Sequence, residues 1–190
     1  MNESQQPNLH IALVHHPVVD KNGKTIASAV TNLDLHDMAR IAKTYAVKSF
    51  YVVTPLRDQK VLVERIISHW IEGAGSRYNP RRREALELVR ISENIEQAIN
   101  EIDNQTGKRP KTVATSARPL CNDMSYPKLR KQLRNGMPHL LVFGTAWGLS
   151  DEIIAKVDHR LAPIIGPGEY NHLSVRCAAA IILDRLLSQC

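Results

Sequence analysis

Apolar residues recur along this chain in two alternating patterns. Short unbroken runs, Leu9 to His15, Lys48 to Thr54, Leu86 to Ile91, Lys111 to Ala117, Pro138 to Phe143 and Arg160 to Ile165, have the length and β-branched content of strands buried on both faces. Between them apolar residues fall at helical spacing. Thr31 to Asp34 opens one helix, with Leu35, Met38, Ala39, Ala42 and Tyr45 inward, and Asp58 to Trp70 forms the next. Ser92 is expected to cap a helix from Glu93 to Ile102 that Gly107 closes, and Tyr126 to Asn135 ends at Gly136. A short helix opens at Ser150-Asp151-Glu152, and Val175 to Leu187 closes the chain, with Asp20 to Lys24 as a turn or hairpin tip. Strands alternating with helices across short loops predict an α/β fold: one domain over residues 1–190, with a mostly parallel sheet and helices on both faces.

Composition narrows the class. At 190 residues the chain is long enough to bury a core without staples, and 43% hydrophobic with 23% charged residues fits a globular protein. Met1 to Asn8 lacks the basic and apolar regions of a signal peptide, and no apolar run approaches a membrane span, so a cytoplasmic location without membrane contact is expected. Three cysteines, Cys121, Cys177 and Cys190, show no C-x-x-C spacing and read as reduced thiols. A formal net charge of +6 permits a polyanionic partner such as RNA.

The nucleotide fingerprints G-x-G-x-x-G and G-x-x-x-x-G-K-[ST] are absent, which argues against a standard NAD site or a P-loop. H-E-x-x-H is absent as well, and no histidine spacing suggests a metal. Two apolar runs, however, end on glycine: Phe143-Gly144-Thr-Ala-Trp-Gly148 and Ile164-Ile165-Gly166-Pro-Gly168. Strands that stop at glycine let backbone groups approach a ligand with no Cβ in the way, and adjacent strand ends form a crevice.

Taken in order, the strand ending at Gly144, then Ile164-Ile165-Gly166-Pro167-Gly168, then Asn171-His172-Leu173-Ser174-Val175-Arg176 running into an Ala-rich helix, resembles the C-terminal half of SPOUT RNA methyltransferases of a bacterial branch. The resemblance is most specific from Thr112 to Leu187. It implies a trefoil knot over about residues 112–187, a homodimer, and S-adenosylmethionine as cofactor. By the same resemblance the cofactor is surrounded by Thr115, Ser116 and Ala117, by Phe143 and Gly144, by Ile165, Gly166 and Gly168, and by Leu173, Ser174 and Val175. The implied activity is methyl transfer to a tRNA or rRNA nucleotide. The sequence departs from the SpoU-type branch in three places. Asn32 to Arg40 is longer than N-x-G-x-x-x-R and lacks its glycine, Ala146 stands near that branch's glutamate, and His172 lies beside Asn171 at its asparagine.

Methyl transfer requires an acceptor held in line and, where the acceptor carries a proton, a base. His36, Asp37 and Arg40 on the first helix are the candidates, because Arg40 is spaced to meet either partner on one face. An arginine held by a carboxylate can grip a phosphate or orient the acceptor. For RNA, Arg81, Arg82 and Arg83 form one basic cluster after Tyr78-Asn79-Pro80. Lys128 and Lys131, with Arg130 and Arg134, form another on a helix, and Arg118 stands between the expected cofactor and substrate positions. Two other readings stay open: a non-catalytic RNA-binding or ribosome-associated protein of the same fold, and a small-molecule α/β enzyme using another nucleotide.

Overall fold

The computed structural model describes residues 7–188, so Cys190 and most of the Met1 to Asn8 segment lie outside the described residues. Its elements run β1 (Leu9–Val14), β2 (Val18–Val19), β3 (Thr25–Ile26), α1 (Asn32–Thr44), β4 (Phe50–Val53), α2 (Arg57–Ile71), α3 (Ala74–Tyr78), α4 (Pro80–Leu86), β5 (Val89–Ser92), α5 (Ile95–Thr106), β6 (Lys111–Ala114), α6 (Tyr126–Leu133), β7 (His139–Gly144), α7 (Asp151–Lys156), β8 (His159–Arg160) and α8 (Val175–Leu187). Six strands form one sheet in the order β5-β4-β1-β7-β6-β8, and every pairing in it is parallel. β2 and β3 make a separate antiparallel hairpin at the expected Asp20 to Lys24 tip.

The unbroken apolar runs reflect burial on both sides. Along β1, Leu9, Ile11 and Leu13 point into one layer, which they share with α1, α2, α4, α6 and α8. Ala12 and Val14 point into the other, packed by Ala98, Ile99 and Ile102 of α5 and Ile153 of α7. The central strands β1, β4 and β7 are thus sealed by helices on both faces, as a parallel sheet requires. Three histidines, His10, His15 and His139, are enclosed with them, and the first two are the most strongly shifted. Nδ1 of His10 lies 2.7 Å from Ser49 Oγ, and Nδ1 of His15 lies 3.1 Å from Ser28 Oγ. Burial lowers both to about 4, aided at His10 by Lys48 and opposed at His15 by the Asp34 carboxylate.

Three sequence expectations are corrected. The helix expected to be capped by Ser92 is capped by Asn94, whose side chain accepts from Gln97 N–H at 2.9 Å, while Ser92 ends β5. The last strand is His159–Arg160, not Arg160 to Ile165, because Pro163 has no N–H to donate to a ladder. The strand expected from Leu86 begins only at Val89, because Arg81 to Leu86 lie within α4, which Asn79 caps from Pro80 onward. Among the described residues no helix is long and apolar enough to cross a membrane, and no group of three or more His, Cys, Asp or Glu is placed to hold a metal.

The far edge of the sheet is tied by one carboxylate. Asp158 accepts from the Thr112 N–H at 2.9 Å, from the Thr112 hydroxyl at 2.8 Å and from Lys111 Nζ at 2.7 Å. Partial burial would raise its carboxyl, but the hydrogen bonds from Lys111 and Thr112 outweigh burial and bring it from 3.8 to about 2. The buried histidines and Asp158 therefore act in different pH windows. For His10 and His15 the folded pKa lies below the unfolded value of 6.5, so stability is complete above 6.5 and is lost as pH falls toward 4. The Asp158 contribution is lost only between about 4 and 2. Urea unfolding across pH is expected to show a first loss below pH 6.5 that His15→Gln reduces and Asp158→Asn leaves in place. Asp158→Asn should lower stability at pH 7 by about 1–3 kcal/mol. A flat profile from pH 7 to 4.5 would contradict the assignment to the histidines.

Candidate functional site

β7 lies between β1 and β6, so the strands that flank the reversal of strand order end side by side at Val14, Gly144 and Ala114. Such reversals open a crevice beyond the carboxyl ends of the strands. Four loops meet there: 15–31 after β1, 115–125 after β6, 145–150 after β7 and 161–174 after β8. They are cross-tied. Thr145 donates its N–H and hydroxyl to Val14 O at 3.2 and 2.9 Å, and its hydroxyl lies 2.5 Å from Ser28 Oγ. Val19 N–H donates to Gly148 O and Trp147 N–H to Val19 O, both at 3.0 Å, so the hairpin is stitched to the β7 loop. Asn171 Nδ2 donates to Ala117 O at 3.0 Å, joining the segment before α8 to the β6 loop. Arg160 pairs with Asp123 at 2.9 Å and braces the same loop through Arg118 O.

The residues of the expected cofactor site lie on strand ends and loops that leave this edge of the sheet, and they differ in what they offer. The Thr115 hydroxyl is spent on Val142 O at 3.1 Å, and Ser116 Oγ accepts the Arg118 N–H. Phe143 is buried in the core and offers only its backbone to the crevice. At Gly144 a Cβ would stand 2.6 Å from Leu149 N and 2.9 Å from the Gly148 carbonyl carbon, so the tight return of the β7 loop itself demands glycine. Gly166 and Gly168 are different: a Cβ at either meets nothing within 4 Å. Around them Ile165 is 73% and Leu173 45% exposed, large apolar side chains facing solvent at the mouth. Ser174 caps α8 by accepting the Cys177 N–H at 3.3 Å, with Val175 as its first residue.

On the first helix the expected trio is not assembled. His36 sits edge-on against Trp70 of α2, with ring centroids 5.4 Å apart, and its pKa is lowered by burial and then by Arg82. Arg40 is exposed, and among the described residues its side chain makes no hydrogen bond or ion pair, so the expected contact with Asp37 is not formed. Asp37 instead pairs with Arg176 of α8, its Oδ2 3.5 Å from Nε, and Asp34 holds the same guanidinium at 3.2 Å through Nη1. Asp34 is itself fixed by the Thr31 hydroxyl at 2.6 Å. The arginine held by carboxylates is therefore Arg176, two residues past Ser174. The carboxylate half of this clamp had a signal in the sequence, since Asp34 and Asp37, spaced i, i+3, present two carboxylates on one helical face.

The basic clusters also separate. Arg81 pairs with Glu84 at 3.5 Å, Arg83 with Glu87 at 3.0 Å, and the Arg82 guanidinium lies 4.5 Å from the centre of the Trp70 ring. On α6 and just after it, Lys128, Lys131 and Arg134 are exposed, and among the described residues their side chains have no such partner. Arg118 is likewise exposed beside the crevice.

A profile of a family described as SAM-dependent RNA methyltransferases matches residues 8–188. The chain is 46% identical over 180 residues to a tRNA (guanine-N(1)-)-methyltransferase of Oleidesulfovibrio alaskensis, an alignment that takes in 95% of this chain and 42% of that protein. It is 41% identical over 183 residues to an uncharacterized protein of Aquifex aeolicus, covering 96% of this chain and 89% of the relative. The chain thus spans less than half of the guanine-N(1) relative and most of the Aquifex one. Among solved structures, the TrmH/SpoU tRNA modifying enzyme of A. aeolicus superposes with a TM-score of 0.58 at 18% identity, over 97% of this chain and 76% of that one. The SpoU methyltransferase AviRb of Streptomyces viridochromogenes, in complex with AdoMet, superposes with a TM-score of 0.55 at 15% identity, over 97% and 61%. At these identities the structural likeness is one of fold. With the family profile spanning nearly every described residue, this chain belongs to the SAM-dependent RNA methyltransferase family.

Proposed function

We propose that this chain transfers the methyl group of S-adenosylmethionine to a nucleotide of tRNA or rRNA, acting as a homodimer whose C-terminal region, about 112–187, is knotted as in SPOUT enzymes. The observation that carries the reading is the crevice itself. The segments the resemblance assigned to the cofactor, 115–117, 143–144, 165–168 and 173–175, all lie on chain leaving one edge of the sheet, and Asn171, between the last two, donates to Ala117 O. The donor set suits the group. Glycine backbone can read the adenine edge, and Ile165 and Leu173 offer apolar cover. S-adenosylmethionine bound there supplies an electrophilic methyl on a sulfonium, and transfer leaves a neutral thioether.

This chain's residues must then hold the acceptor in line and take any proton it loses. Asp37 and Arg176 stand next to the 173–175 segment. Arg176 is oriented by two carboxylates, and Asp37, half-exposed, binds it through only one of its oxygens. This arrangement suits an acceptor that carries a proton, such as N1 of guanine, the atom named for the O. alaskensis relative. On this reading Arg176 takes the positioning role expected of Arg40. Arg118, whose side chain has no partner among the described residues, faces the incoming RNA.

Calorimetric titration should show micromolar binding of S-adenosylmethionine and its demethylated product, about −8 kcal/mol. Gly166→Ala should keep stability within about 0.5 kcal/mol yet weaken that binding about tenfold, because only a ligand demands the missing Cβ there. Gly144→Ala should cost about 1–3 kcal/mol of stability as well. No binding at several temperatures would sink the cofactor reading.

Tritium transfer from S-adenosylmethionine to an unmodified tRNA transcript separates the two arginines. Arg176→Ala should lower the rate about tenfold or more, equivalent to at least about 1.4 kcal/mol, and well beyond the effect of Arg40→Ala. The reverse order would return the role to Arg40.

A further inference from the structure

We propose that the α6 flank of the molecule, and not the triple-arginine cluster of α4, is the surface along which the RNA backbone runs; this rests on the RNA-modifying reading above. The eight residues of α6 and the arginine that follows carry Lys128, Arg130, Lys131 and Arg134 and no acidic residue. Tyr126, Arg130 and Arg134 repeat at i, i+4, as do Pro127 and Lys131, so one helical face presents them in rows about 6 Å apart along the axis. These five residues line a groove of about 480 Å³.

The groove is held open by its neighbours. Arg130 donates to the Arg185 carbonyl in the last turn of α8, and the Arg185 guanidinium lies 5.3 Å from the centre of the Tyr126 ring. The nearest acidic side chain on that part of α8, Asp184, accepts from the Tyr45 hydroxyl at 3.0 Å and so is turned toward α1. Lys128, Lys131 and Arg134 are left with no internal anion among the described residues. In α4 each arginine already has a partner, Glu84, Trp70 or Glu87. A phosphate arriving at α4 must displace those partners, whereas one arriving at α6 displaces only water and counterions.

Location agrees with charge. Met124, just before α6, donates its N–H to Arg160 O at 2.6 Å, which fixes the first turn of the helix to the crevice edge of β8. Arg118 lies in the loop that leads into it. A strand whose target nucleotide enters the crevice passes Arg118 and continues down the α6 groove. With few aromatic side chains on this flank, Tyr126 being covered by Arg185, recognition there is by phosphate and not by base stacking.

The test is the salt dependence of binding of a fluorescently labelled tRNA transcript to the full chain. Lys128→Ala/Lys131→Ala/Arg134→Ala should make the slope of log K against log salt shallower by about 2 to 3, with binding of S-adenosylmethionine unchanged as the control for folding. Arg81→Ala/Arg83→Ala should leave the slope unchanged. An unaltered slope in the α6 variant, or the loss appearing in the α4 variant, overturns the proposal. So does competition by poly-glutamate as effective as competition by unlabelled RNA, which would mark a surface for acidic polypeptides. A parent protein that binds S-adenosylmethionine but no RNA removes the RNA reading itself, an outcome distinct from the others.

Discussion

The hydrogen bonding of β7 on both of its edges is the constraint on which the carboxyl edge of the sheet depends. β7 pairs with all six residues of β1 on one side and with all four of β6 on the other. Because both ladders are parallel, every strand in the centre of the sheet releases its chain at the same edge, and the loops after β1, β6, β7 and β8 have nowhere else to meet. Gly144 then sets how sharply the β7 loop turns. Its missing Cβ lets Leu149 N–H come close, and that return brings Trp147 and Gly148 into hydrogen-bonding range of Val19. The hairpin is positioned by this loop.

Electrostatics on the helical layers follows from which carboxylates the packing has already used. α1 and α8 lie side by side, so Asp37 meets Arg176 and not Arg40 of its own helix, and Asp34, already bonded to Thr31, holds the same guanidinium. α4 carries its acidic residues within one turn of its arginines and neutralises itself. α6 has none to use. Two arginine-rich stretches that look alike in composition therefore differ in their readiness to meet an external anion, and the difference lies in sequence spacing as well as in structure.

The layers, the parallel sheet and the sites of most elements were legible in the sequence, because each rests on local periodicity: Leu9 to Val14 is continuous, and Leu129 and Leu133 repeat at helical spacing. The errors fell where a single residue overrides a pattern. Pro163 stops a run that otherwise reads as a strand, and Asn79-Pro80 starts a helix that runs through Leu86, where a strand was expected to begin. Of the two glycine-ended runs only β7 is a strand end: Gly144 is demanded there by Leu149, whereas Gly166 lies in the loop after β8 and among the described residues a Cβ on it meets nothing. The partner of Asp37 was not legible, since it lies 139 residues away across a helix contact that periodicity does not encode.

This contrast between near and far partners bears on the chemistry. An Arg40 paired with Asp37 would have been a device internal to one helix, indifferent to the cofactor segment. Arg176 follows directly on Leu173, Ser174 and Val175, and its two carboxylates belong to the helix that the β1 loop leads into. Any shift of the 165–174 segment moves the α8 N-terminus and with it the guanidinium, while Asp34, held by Thr31, resists. The clamp thus couples the position of the segment proposed to surround the cofactor to that of the carboxylate proposed to meet the acceptor, and in-line transfer depends on that relative position.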